Sequence, residues 1–310
     1  MNRLSRRFAI AGLAAVALAA CEDRPRPPQG ARRRRESTPE AGSLPWAIEG
    51  PWRLEPERDT WRHPLETLQF WGVQPNMTVL EILPGRGWYT CILAPFLARG
   101  GGTLIAAGFD PNTGSMAQRE TQADFDARFL RDQNLYGRVV RTIVASDSAP
   151  IAPPASVDLA ILTNSVHTLM AMGLAERVFR DIRAALKPNG VFGVEQHRAS
   201  STGLQDPLAG SGYVQEAYVK ALAQEAGFEF VAATDVNANP RDDRDHPFGV
   251  WTLPPTLRTS ALGLPDDPDF DSGPYAEIGE SDRMTLKFRR PAEASAAPAA
   301  AAPAAPAPSP

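Results

Sequence analysis

Residues 46–291 of this sequence predict an α/β fold with an open, doubly wound and mostly parallel sheet. The first observation is that short apolar runs of strand length alternate with helical stretches over most of this region. The second is the stretch LEILPGRGWYT at 80–90, where a buried strand passes through a glycine turn into a helix. In such folds the ligand crevice lies outside the carboxyl ends of the strands.

The individual elements follow from the spacing of apolar residues. The predicted strands cover residues 77–83, 102–109, 138–146, 157–165, 190–197, 228–236 and 282–291, and the predicted helices cover 65–72, 88–99, 118–133, 173–186 and 214–227. Helical crossovers between successive strands indicate parallel pairing. The last strand returns after a long polar loop, so we expect it to form an antiparallel edge.

Both ends of the chain lie outside this domain. Residues 1–20 have the arginines and the short apolar run of a secretory signal peptide, a run too short to span a bilayer. Their end, LAAC, resembles a bacterial lipobox, which implies a lipid on Cys21; an ordinary signal with a chance cysteine is the alternative. SRRFAI also resembles a twin-arginine export signal. The composition of residues 21–45 and 292–310 predicts a lipidated, disordered tether and a disordered Ala/Pro tail.

The charge of the mature chain argues against a polyanionic substrate. The sequence has 32 Lys and Arg against 36 Asp and Glu, and three of the arginines belong to the signal, so cleavage leaves a net charge of about −7. Because nucleic-acid binding rests on a basic surface, we expect a small-molecule substrate and no nucleic acid. With Cys21 lipidated, Cys91 stands alone, so no intrachain disulfide is expected.

The glycine turn at 83–87 has residues suited to the approach of a ligand. Pro84 and Gly85 occupy the preferred central positions of a type II turn, so the turn should form although Leu83 stands where a glycine is usual. Gly87 then allows close backbone approach, and the helix that follows from Trp88 offers free N–H groups. A turn that merely connects a strand to a helix is the alternative.

The pattern around this turn resembles class I S-adenosylmethionine-dependent methyltransferases. Their first strand ends in an acidic residue and a G-x-G-x-G turn; Glu81, Gly85 and Gly87 match this pattern, and Leu83 departs from it. The element order over about 60–291 resembles their seven-stranded, Rossmann-like sheet. RHPLETLQFWGVQPNMTVLEILPGRGWYT, LKPNGVFGVEQHRA and NANPRDDRDHPFGVWTLPPTL look like a bacterial family of predicted, often exported methyltransferases. The resemblance implies S-adenosylmethionine as cofactor and methyl transfer to an unidentified acceptor.

The resemblance also implies contacts at the ends of later strands. Gly108 occupies the usual place of the acidic residue that holds the ribose, and Asp110 follows two positions later. Asp147 matches the position that often contacts the adenine, or it bonds its own backbone in a turn. The expected cofactor-binding residues are Glu81, Pro84, Gly85, Gly87, Trp88, Asp110, Asp147 and Asn164.

Two histidines mark the expected acceptor site. His167 follows the fourth strand and His197 ends the fifth, so both should project into the crevice. Either could take a proton from the acceptor with a pKa near neutral, whereas packing or capping is the alternative role. Glu195 lies on the same strand face as His197. The loop 237–256 would cover the crevice, or it is a solvated turn.

Two other functions compete with methyl transfer. A metal-dependent hydrolase would use His167, His197 and His246 with nearby carboxylates, although no H-x-x-x-H or H-x-H spacing supports a preformed site. A non-catalytic, exported binding module would keep the fold without the chemistry. Export favours that alternative, because S-adenosylmethionine is made in the cytosol.

We expect Cys21 to carry the lipid that anchors the chain to the cell envelope. Asp directly after the lipidated cysteine would resemble an inner-membrane retention signal. Glu22 stands there instead, so the periplasmic face of the outer membrane is the expected location. Cys21→Ser should stop lipid labelling and lipoprotein processing, because the thiol is the acylated group. Intact-mass analysis of the native protein measures this, and an unmodified Cys21 in a freely soluble product would contradict the anchor.

Overall fold

The structure, a computed structural model, describes residues 38–292. The predicted signal peptide (1–20), the predicted lipidation site Cys21, residues 22–37 of the predicted tether and the predicted tail beyond 292 lie outside the described residues. Helix α1 (Leu44–Ile48) begins at the end of the stretch 21–45 that the sequence assigns to the tether. Within residues 38–292, no helix is both long enough and apolar enough to cross a bilayer.

A seven-stranded sheet forms the centre of the domain. Its strands are β1 (Thr78–Ile82), β2 (Thr103–Gly108), β3 (Val139–Ile143), β4 (Val157–Thr163), β5 (Leu186–His197), β6 (Glu229–Thr234) and β7 (Arg283–Arg289). They lie in the order β3-β2-β1-β4-β5-β7-β6, with β1 to β5 paired in parallel. The predicted doubly wound, mostly parallel sheet is confirmed. Its strand order reverses between β1 and β4, and that switch point is where such sheets bind ligands.

The last strand is antiparallel, as expected, but it is not the edge. β7 pairs with both β5 and β6, and β6 is the edge strand. The reason lies in burial: Leu286 and Phe288 of β7 are buried, whereas Phe230 and Val231 of β6 are 47% and 48% exposed. A strand whose side chains are buried gains more from a central place in the sheet.

Ten α-helices occur in residues 38–292. Those not yet given are α2 (Asp59–Arg62), α3 (Pro64–Trp71), α4 (Thr90–Gly100), α5 (Met116–Phe129), α6 (Gln133–Tyr136), α7 (Val166–Ala171), α8 (Ala175–Ala185), α9 (Glu216–Glu225) and α10 (Gly273–Ile278). All five predicted helices are present as α3, α4, α5, α8 and α9. The others are one or two turns long, too short for an apolar period to show.

Two apolar clusters make up the core. One contains residues of α7, α8 and α9, and the other contains residues of α3, α4 and α5. Helix α3 is fixed to the sheet by Trp71, whose indole N–H donates to the Leu286 carbonyl at 3.0 Å. Gly193 of β5 has no side chain because the Trp71 ring occupies that space. This contact fixes α3 against the sheet.

Candidate functional site

The turn after β1 keeps a glycine-like conformation although its first glycine is replaced. Leu83 has φ +46°, a left-handed conformation that is strained for leucine, and its buried side chain holds it there. Gly85 has φ +59°, as expected. The closing hydrogen bond runs from the Gly87 N–H to the Pro84 carbonyl at 2.9 Å, one residue later than the predicted turn.

The two glycines of the turn differ in their surroundings. No atom lies within 4 Å of the place a Gly85 side chain would take. At Gly87 a side chain would collide with the Phe129 ring of α5. Space for a ligand is therefore present at Gly85, whereas packing within the protein requires glycine at 87.

Glu81 and Trp88, two of the expected cofactor-binding residues, face the protein. Glu81 is buried at the end of β1, where the Thr90 hydroxyl donates to it at 2.6 Å. Burial raises the pKa of Glu81 to about 8 although the Thr90 hydrogen bond opposes the rise, so the carboxyl is neutral at pH 7. The guanidinium groups of Arg53 and Arg62 lie 5.0 and 4.9 Å from the Trp88 ring centroid. Both residues support the turn from inside.

Asp110 is the expected ribose ligand that the structure leaves accessible. It lines a cavity of about 280 Å³ at the ends of β2 and β3, together with Ser146 and Met172. The Asn112 N–H donates to Asp110 at 2.8 Å and lowers the pKa of its carboxyl. Asp147 is exposed and does not line this cavity.

Gly108 lacks a side chain for a steric reason. A side chain at this position would collide with the amide of Gln122 from α5. Gln122 is buried and donates to Asp126 at 2.9 Å, and Asp126 pairs with Arg141 of β3 at 2.6 Å. The position that is acidic in class I methyltransferases is therefore filled from the neighbouring helix.

Asn164 stands at the switch point with an unpaired acceptor. It has φ +49°, and its N–H donates to the Glu195 carbonyl at 2.7 Å. Its Nδ2 lies 3.4 Å from Glu195 Oε1, but its buried Oδ1 has no hydrogen-bond partner among residues 38–292. A buried, unpaired polar atom costs about 1–3 kcal/mol, which favours a ligand that brings a donor.

Glu195 ties the turn region to the end of β5. It is buried, and it accepts a hydrogen bond from the Tyr89 hydroxyl at 2.8 Å. Burial and then the charge of Glu195 hold the pKa of Tyr89 well above its usual value, so Tyr89 remains a donor. Arg283 Nε lies 3.0 Å from Glu195 Oε1 as an ion pair without hydrogen-bond geometry.

Glu280 gathers three guanidinium groups. Arg58 and Arg62 each donate through Nε to its carboxylate, at 2.5 and 2.9 Å, and Arg283 donates at 2.5 Å. Burial by itself would raise the pKa of Glu280, but Arg62, Arg283 and Arg58 lower it to about 2. Arg283 also donates to the Trp61 carbonyl at 2.5 Å. These bonds join the start of β7 to the segment before α3.

His167 and His197 come together, as the sequence predicts. Their ring centroids are 5.6 Å apart, and the Trp251 ring meets His167 edge-on at 5.8 Å. Gln196 Nε2 lies 3.2 Å from His167 Nδ1, and the Ser281 hydroxyl lies 2.6 Å from His197 Nδ1. Trp251 belongs to the loop 237–256, so this loop covers the pair.

The expected near-neutral pKa of the two histidines is corrected by the structure. Burial lowers the pKa of His167 to about 4, although the Gln196 hydrogen bond opposes the fall. Burial and, after it, repulsion between protonated His197 and the neighbouring His167, Arg283 and Arg62 hold the pKa of His197 well below its usual value. Both imidazoles are therefore neutral at pH 7 and suit hydrogen bonding better than proton uptake.

The three histidines that a metal-dependent hydrolase would use do not form one ligand group. His246 lies beyond Tyr213, whose ring centroid is 6.4 Å from the rings of both His197 and His246. In the part of the chain that the structure describes, the one group of three metal-type ligands is Asp242, Asp243 and His246. Asp242 already accepts hydrogen bonds from the Tyr213 hydroxyl and the His246 ring, which fits a structural junction.

A second, larger cavity of about 830 Å³ lies on the β6 side of His197. Its charged lining residues pair with one another: Arg198 lies 3.1 Å from both Asp235 and Asp282, and Arg244 lies 2.6 Å from Asp282. These pairs leave little charge for a ligand. The switch point, with open space at Gly85, is the better candidate site.

The ion network around Glu280 was not predicted from the sequence. Arg58 and Arg62 are four residues apart, which places them on one side of a helical turn, but their partner lies 222 and 218 residues away. Tyr89 was likewise missed, since an aromatic residue at the start of a helix is ordinary. The segment before α3 therefore contributes to the site from a region where the sequence indicated only a short helix.

Comparison with known proteins supports the fold. No protein-family model and no curated protein matches the chain. The crystal structure of the [4+2]-cyclase SpnF is similar at TM-score 0.50 and 17% identity, over 79% of this chain and 85% of that one. A SAM-dependent methyltransferase from Aquifex aeolicus is similar at TM-score 0.49 and 13% identity, over 76% and 94%. The likeness to SpnF shows a shared fold and leaves the reaction of this chain open.

Leu83→Gly should destabilise the protein, contrary to the tolerance that the turn sequence suggests. Loss of a buried leucine side chain costs about 2–5 kcal/mol, and relief of the strained backbone returns about 1 kcal/mol. Leu83→Ala keeps the strain and should be the less stable of the two variants. Urea unfolding measures both, and a Leu83→Gly protein as stable as the wild type would contradict the packing role.

Glu81 should make the protein less stable as the pH rises from about 4.5 to 8. In this window the folded state keeps the proton of Glu81 while the unfolded state has released it, so unfolding is favoured by at most about 1.4 kcal/mol per pH unit. Glu81→Gln should remove this part of the slope, whereas Glu120→Gln, at an exposed position, should not. If the free energy of unfolding changed with pH equally in wild type and Glu81→Gln, the neutral carboxyl would be contradicted.

Proposed function

We propose that this chain is an S-adenosylmethionine-dependent methyltransferase that acts on a small-molecule acceptor. The observation that carries the proposal is the buried, unpaired Oδ1 of Asn164 at the switch point of a methyltransferase-like sheet. A ligand with an N–H or O–H donor would satisfy this atom, and the cofactor has such donors in its ammonium and ribose groups. The open position at Gly85 on the neighbouring strand end gives the ligand room.

The residues present fit this cofactor in part. Gly85 and Asn164 would hold one end of it, and Asp110, which lines the cavity beside β2, would hold hydroxyl groups at the other. Bound S-adenosylmethionine would supply an electrophilic methyl group on a sulfonium. Glu81 and Trp88 act indirectly in this proposal, because they support the turn rather than face the ligand.

The chain's own contribution to transfer is orientation of the acceptor. His167 and His197 would hydrogen-bond the acceptor as neutral rings, and Trp251 would exclude water from the same space. Because both pKa values lie below 6.5, neither ring is a strong base at pH 7. Acceptors that react without losing a proton in the rate-limiting step, or that are already ionised, fit this site best.

We also propose that the domain works outside the cytosol, attached through Cys21. The support is the sequence of residues 1–21 alone, with its basic start, apolar run and LAAC end. An exported enzyme needs a supply of cofactor, so a module that binds without transferring is the competing function. Binding and turnover must therefore be measured separately.

Asn164→Gly should weaken binding of S-adenosylmethionine about tenfold or more, because it keeps the positive φ and removes the Oδ1 acceptor. Asn189→Gly is the matched control, since Asn189 has φ +64° and is exposed. Isothermal titration of the full chain with S-adenosylmethionine and with S-adenosylhomocysteine measures this. Absence of binding by the wild type would overturn the proposal, and binding without turnover on a panel of acceptors would favour the non-catalytic module.

A further inference from the structure

Arg62 is held in place but has donors to spare. Its Nε donates to Glu280 at 2.9 Å, and its guanidinium lies 4.9 Å from the centroid of the Trp88 ring. Neither Nη group has a hydrogen-bond partner among residues 38–292. A guanidinium fixed by one edge and by an aromatic ring presents its remaining N–H groups in a set direction.

Arg62 has no carboxylate of its own in the described part of the chain. Arg58, Arg62 and Arg283 share Glu280, but Arg58 has a second partner in Glu55 and Arg283 has one in Glu195. Burial lowers the pKa of Arg62. Attraction to Glu280 opposes this fall, and repulsion from Arg283 and Arg58 adds to it. A buried cation that shares its counterion with two other cations is costly, and an anion beside it would reduce that cost.

Arg62 is also near the candidate site. Its partner Glu280 also binds Arg283, and Arg283 pairs with Glu195, which accepts the Tyr89 hydrogen bond. Trp88, the ring it contacts, follows Gly87 directly. The Arg62 side chain is 12% exposed, so its Nη groups remain within reach of a ligand.

We propose that Arg62 is the anion-binding residue of this site and that its two Nη groups bind a carboxylate of the ligand. The carboxylate belongs either to the amino-acid part of the cofactor or to the acceptor, and in the first case the inference rests on the proposed function. Carboxylate geometry matches the paired N–H groups of a guanidinium, and a bound carboxylate would give Arg62 a counterion of its own. Arg62 thereby selects ligands that carry an acid group.

The test compares ligands that differ in the carboxylate. Isothermal titration of the full chain uses S-adenosylhomocysteine and 5′-methylthioadenosine, which lacks the amino-acid group, and thermal unfolding is followed with and without benzoate. The variant is Arg62→Met, which keeps the length and loses the charge. Arg58→Met is the matched control, because it removes an equal charge and another Glu280 contact, while Arg58 Nη1 is already bonded to Glu55.

If the cofactor supplies the carboxylate, Arg62→Met should weaken the binding of S-adenosylhomocysteine at least tenfold. The same substitution should weaken the binding of 5′-methylthioadenosine less than twofold. If the acceptor supplies it, benzoate should raise the melting temperature of the wild type and of Arg58→Met, but not of Arg62→Met. The inference would be overturned if S-adenosylhomocysteine and benzoate each bind wild type and Arg62→Met equally well. It would also be overturned if neither ligand binds the wild type. If S-adenosylhomocysteine does not bind the wild type but stabilisation by benzoate still requires Arg62, the proposed function fails and the anion site stands.

Discussion

The ion network of Arg283 is the interaction on which the candidate site depends. Arg283 is buried at the start of β7 and contacts Glu195 of β5, the Glu280 carboxylate and the Trp61 carbonyl. Burial acts to lower its pKa, and the two carboxylates more than reverse this, so the guanidinium stays charged. Because a buried charge without partners is strongly destabilising, these groups must remain together. One residue thus fixes the segment before α3 against the sheet, next to Tyr89 and His197.

Much of the fold could be predicted from the sequence, since burial imposes regular periods on strands and long helices. The seven strands, the five longer helices and the meeting of His167 with His197 follow from such periods and from parallel topology. The central place of β7 could not be predicted, because it depends on which strand the other elements leave exposed. The pKa values of the histidines likewise depend on burial and on charges from distant segments.

The candidate site is open at the switch point, but side chains of the protein fill the space beside two of its glycines. Gly85 is free on its ligand side and Asn164 has a spare acceptor, whereas Phe129 and Gln122 of α5 fill space next to Gly87 and Gly108. Helix α5 therefore determines how much space remains beside Gly87 and Gly108. A similar fold occurs in a cyclase, so the architecture does not choose a reaction, and the chemistry must be sought in the side chains at the strand ends.

The bonds from Arg58 and Arg62 to Glu280 also bear on how the domain matures. They connect residues 222 and 218 positions apart, close to the first and last elements of the domain. Contacts of such high sequence separation form late, since a long loop must close before they contribute. During synthesis the network cannot assemble until β7 has left the ribosome. A nascent or truncated chain that lacks β7 would hold most of the parallel sheet and no complete site, so ligand affinity marks the finished domain.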